Sequence, residues 1–212
     1  MKTGELIRAL AADSAVRPMP PGRALALALI PGVAIALCLH FAVLGLRPHL
    51  LSLLGEPRLL FKLCLTFLLA VLSGGLVTRI ARPGASLRQI TLLLAIVPAL
   101  LAAAGLAELV VIPAAEWGER LIGSNAKVCL AVIPFLAAAP LVAVVLALRQ
   151  GAPEHPALAG AGAGLFAGAI GAACYATHCP DDSPLFVAAW YSLAIGIVVA
   201  AGALAGRRLL RW

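Results

Sequence analysis

The stretch CYATHCPDDSPLF, from Cys174 to Phe186, gathers two thiols, an imidazole and two carboxylates into one short segment of a largely apolar chain. A thiolate beside an imidazole suits soft or borderline metals such as copper(I), zinc or cadmium. Thiols in a water-facing loop are equally open to oxidation and disulfide exchange. Cys174 and His178 stand four apart, so a helix continued through Thr177 would present both on one face. Pro180 ends such a helix and leaves Cys179 at the turn. Asp181 or Asp182 is then the expected cap of the next helix, with Pro184 in its first turn. No CxxC pair or other tight zinc pattern occurs, so spacing selects no metal. No catalytic triad, phosphate loop or zinc-protease helix is in register either. The chain reads as a non-enzyme.

The elements that must position these groups follow from composition. Of 212 residues, 63% are hydrophobic and only 12% charged, about half the charged share of a soluble domain. The polar residues fall in short breaks between long apolar runs. Each bilayer crossing needs about 20 mainly apolar residues, and six segments qualify: 24–46, 60–78, 89–111, 126–148, 157–176 and 185–205. Backbone groups in hydrocarbon must be paired within the segment, so these runs must be helices. The expected fold is all-α: an integral membrane bundle of six transmembrane helices. It divides the chain into an arm (1–23), a membrane domain (24–206) and a basic tail (207–212). The N-terminal segment carries acidic residues and is proline-broken, unlike a secretory signal, so the first span is expected to remain as an anchor.

Charge distribution sets the orientation. Lys2, Arg8, Arg17, Arg23, Arg79, Arg82, Arg88, Arg149, Arg207, Arg208 and Arg211 fall on one side; Arg47, Arg58, Lys62, Arg120 and Lys127 fall on the other. The positive-inside rule therefore places both termini in the cytoplasm and the 177–184 break outside. The net charge of +7 is explained by this bias, and no motif argues for direct nucleic-acid contact. With that orientation all five cysteines, and His40, His49 and His178, lie in the outer half. Cys38 and Cys64 read as packing residues, Cys129 and Cys174 as intermediate, and Cys179 as chemically active. Lys62, Arg58 and Glu108 are expected to reach the interface by snorkelling. Pro31, Pro98, Pro134 and Pro140 are expected to bend or locally open their helices. Gly160, Gly164 and Gly168, spaced by four, predict a close helix–helix seam within the bundle.

The arm MKTGELIRALAAD carries a short apolar face, Leu6, Ile7 and Leu10, with Asp13 beyond it. A helix of this length is marginal in water and gains order by docking on a membrane surface or a partner. A small metal or solute transporter, or a channel subunit, is the alternative from another class. The scarcity of polar residues at mid-membrane counts against it.

The arm, the six spans and the motif HCPDDSPLFVAAWY together resemble the NrsF-type anti-sigma factors, multi-pass bacterial inner-membrane proteins. The resemblance implies a cytoplasmic partner, an extracytoplasmic-function (ECF) sigma factor, held through the arm, with Leu6, Ile7, Leu10 and Asp13 as its contacts. It further implies that two outward-facing cysteines sense metal or oxidative stress. On this sequence those are Cys129, in AKVCLAVIP, and Cys179, in THCPDD; His178 and Cys174 are added only by their nearness in sequence. No tightly bound cofactor is expected. A copper, zinc or cadmium ion would act as signal, and copper is the one the resemblance favours.

Overall fold

The computed structural model describes residues 3–5, 7–8, 21–82, 84–151 and 153–210. Six long helices make up the fold: α1 (Pro21–Val43), α2 (Pro57–Ile80), α3 (Arg88–Val111), α4 (Ala126–Leu148), α5 (Pro156–Ala176) and α6 (Pro184–Leu209). All six are long and apolar enough to cross a membrane, and the described residues contain no strand. Each lies within a few residues of its expected span. The last helix continues through Arg207 and Arg208 to Leu209, past the boundary drawn at 206. Prolines mark four starts, Pro21, Pro57, Pro156 and Pro184, where a missing N–H costs nothing. The helices run unbroken through Pro31, Pro98, Pro134 and Pro140. The one departure from α geometry is a π turn at Val187–Tyr191 in α6, where no proline stands.

Small residues decide which helix sits at the centre. α5 is the most buried of the six, and α1 and α3 are the least. A Cβ built on Gly160 would lie 2.1 Å from the carbonyl oxygen of Gly202, and one on Gly164 would lie 2.5 Å from that of Val198. Gly202 and Gly206 face back onto Gly160 and Pro156 at similar range. The α5–α6 seam is therefore backbone against backbone, and it extends the predicted glycine spacing with a second pair from α6. On its other side α5 meets α4, where Gly171 faces the carbonyl oxygen of Ile133.

Loops L1 (44–56), L3 (112–125) and L5 (177–183) converge at one end of the bundle. L2 (81–87) and L4 (149–155) meet at the other, where the Gly84 N–H donates to Glu154 Oε1 at 3.0 Å. In the arm, Thr3–Glu5, Ile7 and Arg8 are helical and Ile7 is exposed. Leu6, Leu10 and Asp13 lie outside the described residues.

The seam yields a contrast to measure. Gly160→Ala should destabilise the bundle by about 3 kcal/mol, because its methyl meets backbone that cannot move aside. Gly196→Ala, with open space around it, should be neutral or slightly stabilising. Unfolding of the two variants by SDS titration in mixed micelles checks both.

Candidate functional site

L5 is a polar loop that closes over an apolar core, and a lysine beneath it makes that possible. Lys62 stands in the second turn of α2 with its side chain fully buried. Its ammonium donates to the carbonyl oxygens of Cys179 (2.7 Å) and Asp181 (3.3 Å) and to the carboxylate of Asp182. Three donors thus meet three acceptors, which is what a buried cation requires. The other Asp182 oxygen takes the Arg47 guanidinium of L1 at 2.7 Å.

The two aspartates have separate tasks, neither the expected one. Asp181 accepts the backbone N–H groups of Ser124 (3.2 Å) and Asn125 (2.9 Å) and the Asn125 side-chain amide (3.0 Å). It caps α4 rather than α6, because L5 folds back across the start of α4. The cap of α6 is Ser183, whose hydroxyl accepts the Leu185 N–H at 3.2 Å. That hydroxyl donates in turn to Glu108 at 2.6 Å, and Arg58 lies 3.1 Å from the second Glu108 oxygen. Lys62 and Glu108 therefore do not snorkel; both are buried as struts that tie α2 and α3 to L5. Arg58, still partly exposed, pairs with Glu108 from the water side.

Cys129, from the first turn of α4, and Cys179, from L5, are both fully buried in one cluster with Tyr175, Phe186 and Tyr191. The expectation that Cys179 stands exposed in its loop is corrected: the Lys62 clamp turns the loop backbone inward and takes the thiol with it. All five cysteines are free thiols. The Cys179 thiol lies 3.9 Å from the Asp181 carbonyl oxygen. Burial pushes its pKa above the ordinary value, opposed by the Lys62 ammonium. Around the thiols, the Tyr175 and Tyr191 hydroxyls are buried without a hydrogen-bond partner, and their rings lie 5.9 Å apart.

His178 and Cys174 do not share a face. α5 ends at Ala176 with Thr177 as its cap, and His178 swings to L1, where Nδ1 lies 3.1 Å from the Gly45 carbonyl oxygen. Cys174 is half-buried against the core, while Cys38 and Cys64 face outward. Among the described residues no three His, Cys, Asp or Glu side chains converge as metal ligands. The arrangement is instead a pair of free thiols sealed under a clamped loop. Lys62 and Glu108 were visible in the sequence as charges inside apolar runs; treating such residues as partnered by default would have found them.

The fold defines a multi-pass helical membrane protein whose polar groups serve loop closure. Its particular kind follows from comparison with known proteins. The family model described as "Negative regulator of sigma F" matches residues 10–212. The anti-sigma-F factor NrsF of Caulobacter vibrioides is 37% identical over the full length of both chains. The probable anti-sigma-F factor NrsF of Azospira oryzae is 34% identical, again over the full length of both. No solved structure matches. The chain belongs to the NrsF family of negative regulators of sigma F, which are regulatory proteins rather than enzymes.

Two measurements test the site's construction. Asp182→Ala leaves a fully buried ammonium without its counter-charge and should cost about 3–5 kcal/mol, read by thermal unfolding in detergent. Alkylation of Cys179, located by mass spectrometry, should be slow at neutral pH. Its rate should still be climbing at pH values where an ordinary thiol, largely ionised near pH 9, has levelled off.

Proposed function

We propose that this protein holds an ECF-type sigma factor at the cytoplasmic face of a bacterial inner membrane and releases it when Cys129 and Cys179, on the periplasmic side, receive a signal. The observation that carries this reading is the meeting of two cysteines fifty positions apart in sequence in one sealed cluster, under the loop of densest chemistry. The arm, with Leu6, Ile7, Leu10 and Asp13, is the sigma-binding segment; the exposure of Ile7 supports it. The charge bias of the loops supports the orientation.

Two thiols without a third convergent ligand favour copper(I), which accepts two soft donors, over zinc or cadmium, which fill tetrahedral sites. Oxidation is the other route: the two thiols form one S–S bond and give two protons and two electrons to the oxidant. Either event joins two buried free thiols into one unit, and L5, which carries Cys179, shifts with it. A signal shifts the equilibrium only by its differential affinity for the two states. The sealed resting cluster supplies one of those states.

A reporter for the sigma factor's target genes tests the proposal. Copper should raise reporter expression several-fold in the wild type and leave it flat in Cys129→Ser and Cys179→Ser, with equal protein in the membrane. A full response in both variants would remove the cysteines from the mechanism.

A further inference from the structure

A change at Cys179 must reach an arm on the far side of the bilayer, and the contacts of L5 differ in where they lead. Lys62, Glu108 and Asn125 join L5 to α2, α3 and α4, whose far ends run into L2 and L4. Contacts to L1 and the end of α1 lead elsewhere, because the other end of α1, at Pro21, continues directly into the arm.

That connection is made four times. The Arg47 N–H donates to the Thr177 carbonyl oxygen at 3.0 Å, and the Arg47 guanidinium holds Asp182 at 2.7 Å. His178 Nδ1 lies 3.1 Å from the Gly45 carbonyl oxygen. The Thr177 hydroxyl lies 3.1 Å from Nε2 of His40, a buried residue in the last turn of α1 whose Nδ1 has no partner. The residues fastened to L1 or to the end of α1, Thr177, His178 and Asp182, bracket Cys179 on both sides.

α1 also lies at the periphery of the bundle. It is among the least buried helices, and Leu27, Ile30, Ile35, Leu37, Phe41 and Val43 all face outward. One close approach to the core is at Gly32, where an added Cβ would lie 3.0 Å from Ala143 Cβ and 3.2 Å from both the Ala139 carbonyl oxygen and Pro140 Cα; Leu25 and Ala36, to either side of it, are buried as well. Gly32 therefore sits against α4 as a fulcrum, between the L5 ties at His40 and the arm beyond Pro21. At about 1.5 Å rise per residue the two lever arms are roughly 12 and 17 Å, so motion at His40 is passed on slightly enlarged.

Resting on the thiol reading above, the geometry points to α1 as the transmitting lever, with Arg47 and Thr177 as the positioning residues that couple L5 to it. Neither residue touches the thiols or the sigma factor. When L5 shifts with Cys179, these ties pull the outer end of α1, the helix pivots on Gly32, and the arm is displaced.

The test compares Arg47→Gln and Thr177→Val with the conservative Arg47→Lys and Thr177→Ser, each in the full chain. Three quantities are read: copper(I) bound by the purified protein against a colorimetric chelator, basal reporter repression, and copper-induced reporter expression. Arg47→Gln and Thr177→Val should bind copper and repress as the wild type does, yet lose induction by roughly tenfold, a coupling of ordinary size. The conservative pair should keep induction. Full induction in both Arg47→Gln and Thr177→Val overturns the lever. So does loss of copper binding in both, which would make the ties part of the site's framework. Should one variant fail to reach the membrane, the other decides. Failure of the underlying thiol reading shows separately, as a wild type whose induction survives Cys179→Ser.

Discussion

The architecture of this end of the molecule depends on placing an ammonium ion where water cannot reach. Lys62 has no exposure, and three oxygens of one loop supply everything its charge needs. Desolvating a cation is tolerable only when its partners are fixed, so the lysine dictates the path of L5 as much as L5 accommodates the lysine. Once Cys179 and Asp181 turn their carbonyls down onto the ammonium, the thiol enters the core and the Asp181 carboxylate is left free to cap α4. Asp182 then bridges to Arg47. The buried thiol, the cap of α4 and the link to L1 are consequences of a single buried charge.

The helices divide into a rigid part and an adjustable one. Backbone contacts between α5 and α6 leave no room for sliding, and α4 packs on α5 through Gly171. These three helices carry or flank both thiols. α1 and α3 lie outside, with most of their residues unburied. In the proposed mechanism the packed core would hold the two thiols in register and a peripheral helix would carry the motion. The π turn of α6, beside Tyr191 in the thiol cluster, adds an irregularity where such turns often accompany functional sites.

Family membership and physical chemistry bear on different parts of the account. Similarity along the whole chain establishes a negative regulator of sigma F. The geometry explains why the chain needs a charged strut in the membrane, why its two cysteines lie together, and which contacts lead from them toward the arm.

The six helices were legible in the sequence because bilayer thickness and backbone hydrogen bonding leave an apolar run of twenty residues little choice. The glycine seam was legible in the same way, from a spacing of four that only a close helix partner explains. Cys179 was singled out by its place in a polar loop and Cys129 through the resemblance; their burial together was not legible. It depends on Lys62 and L5, far apart in the chain, meeting in space. The same reason defeated the expected caps. Any of Asp181, Asp182 and Ser183 could cap α6 by local rules, and the choice fell to Ser183 because the α4 amides and the Lys62 ammonium claimed the carboxylates. Local pattern determined the elements; competition among distant polar groups for a few buried partners, which only the folded chain resolves, decided the site.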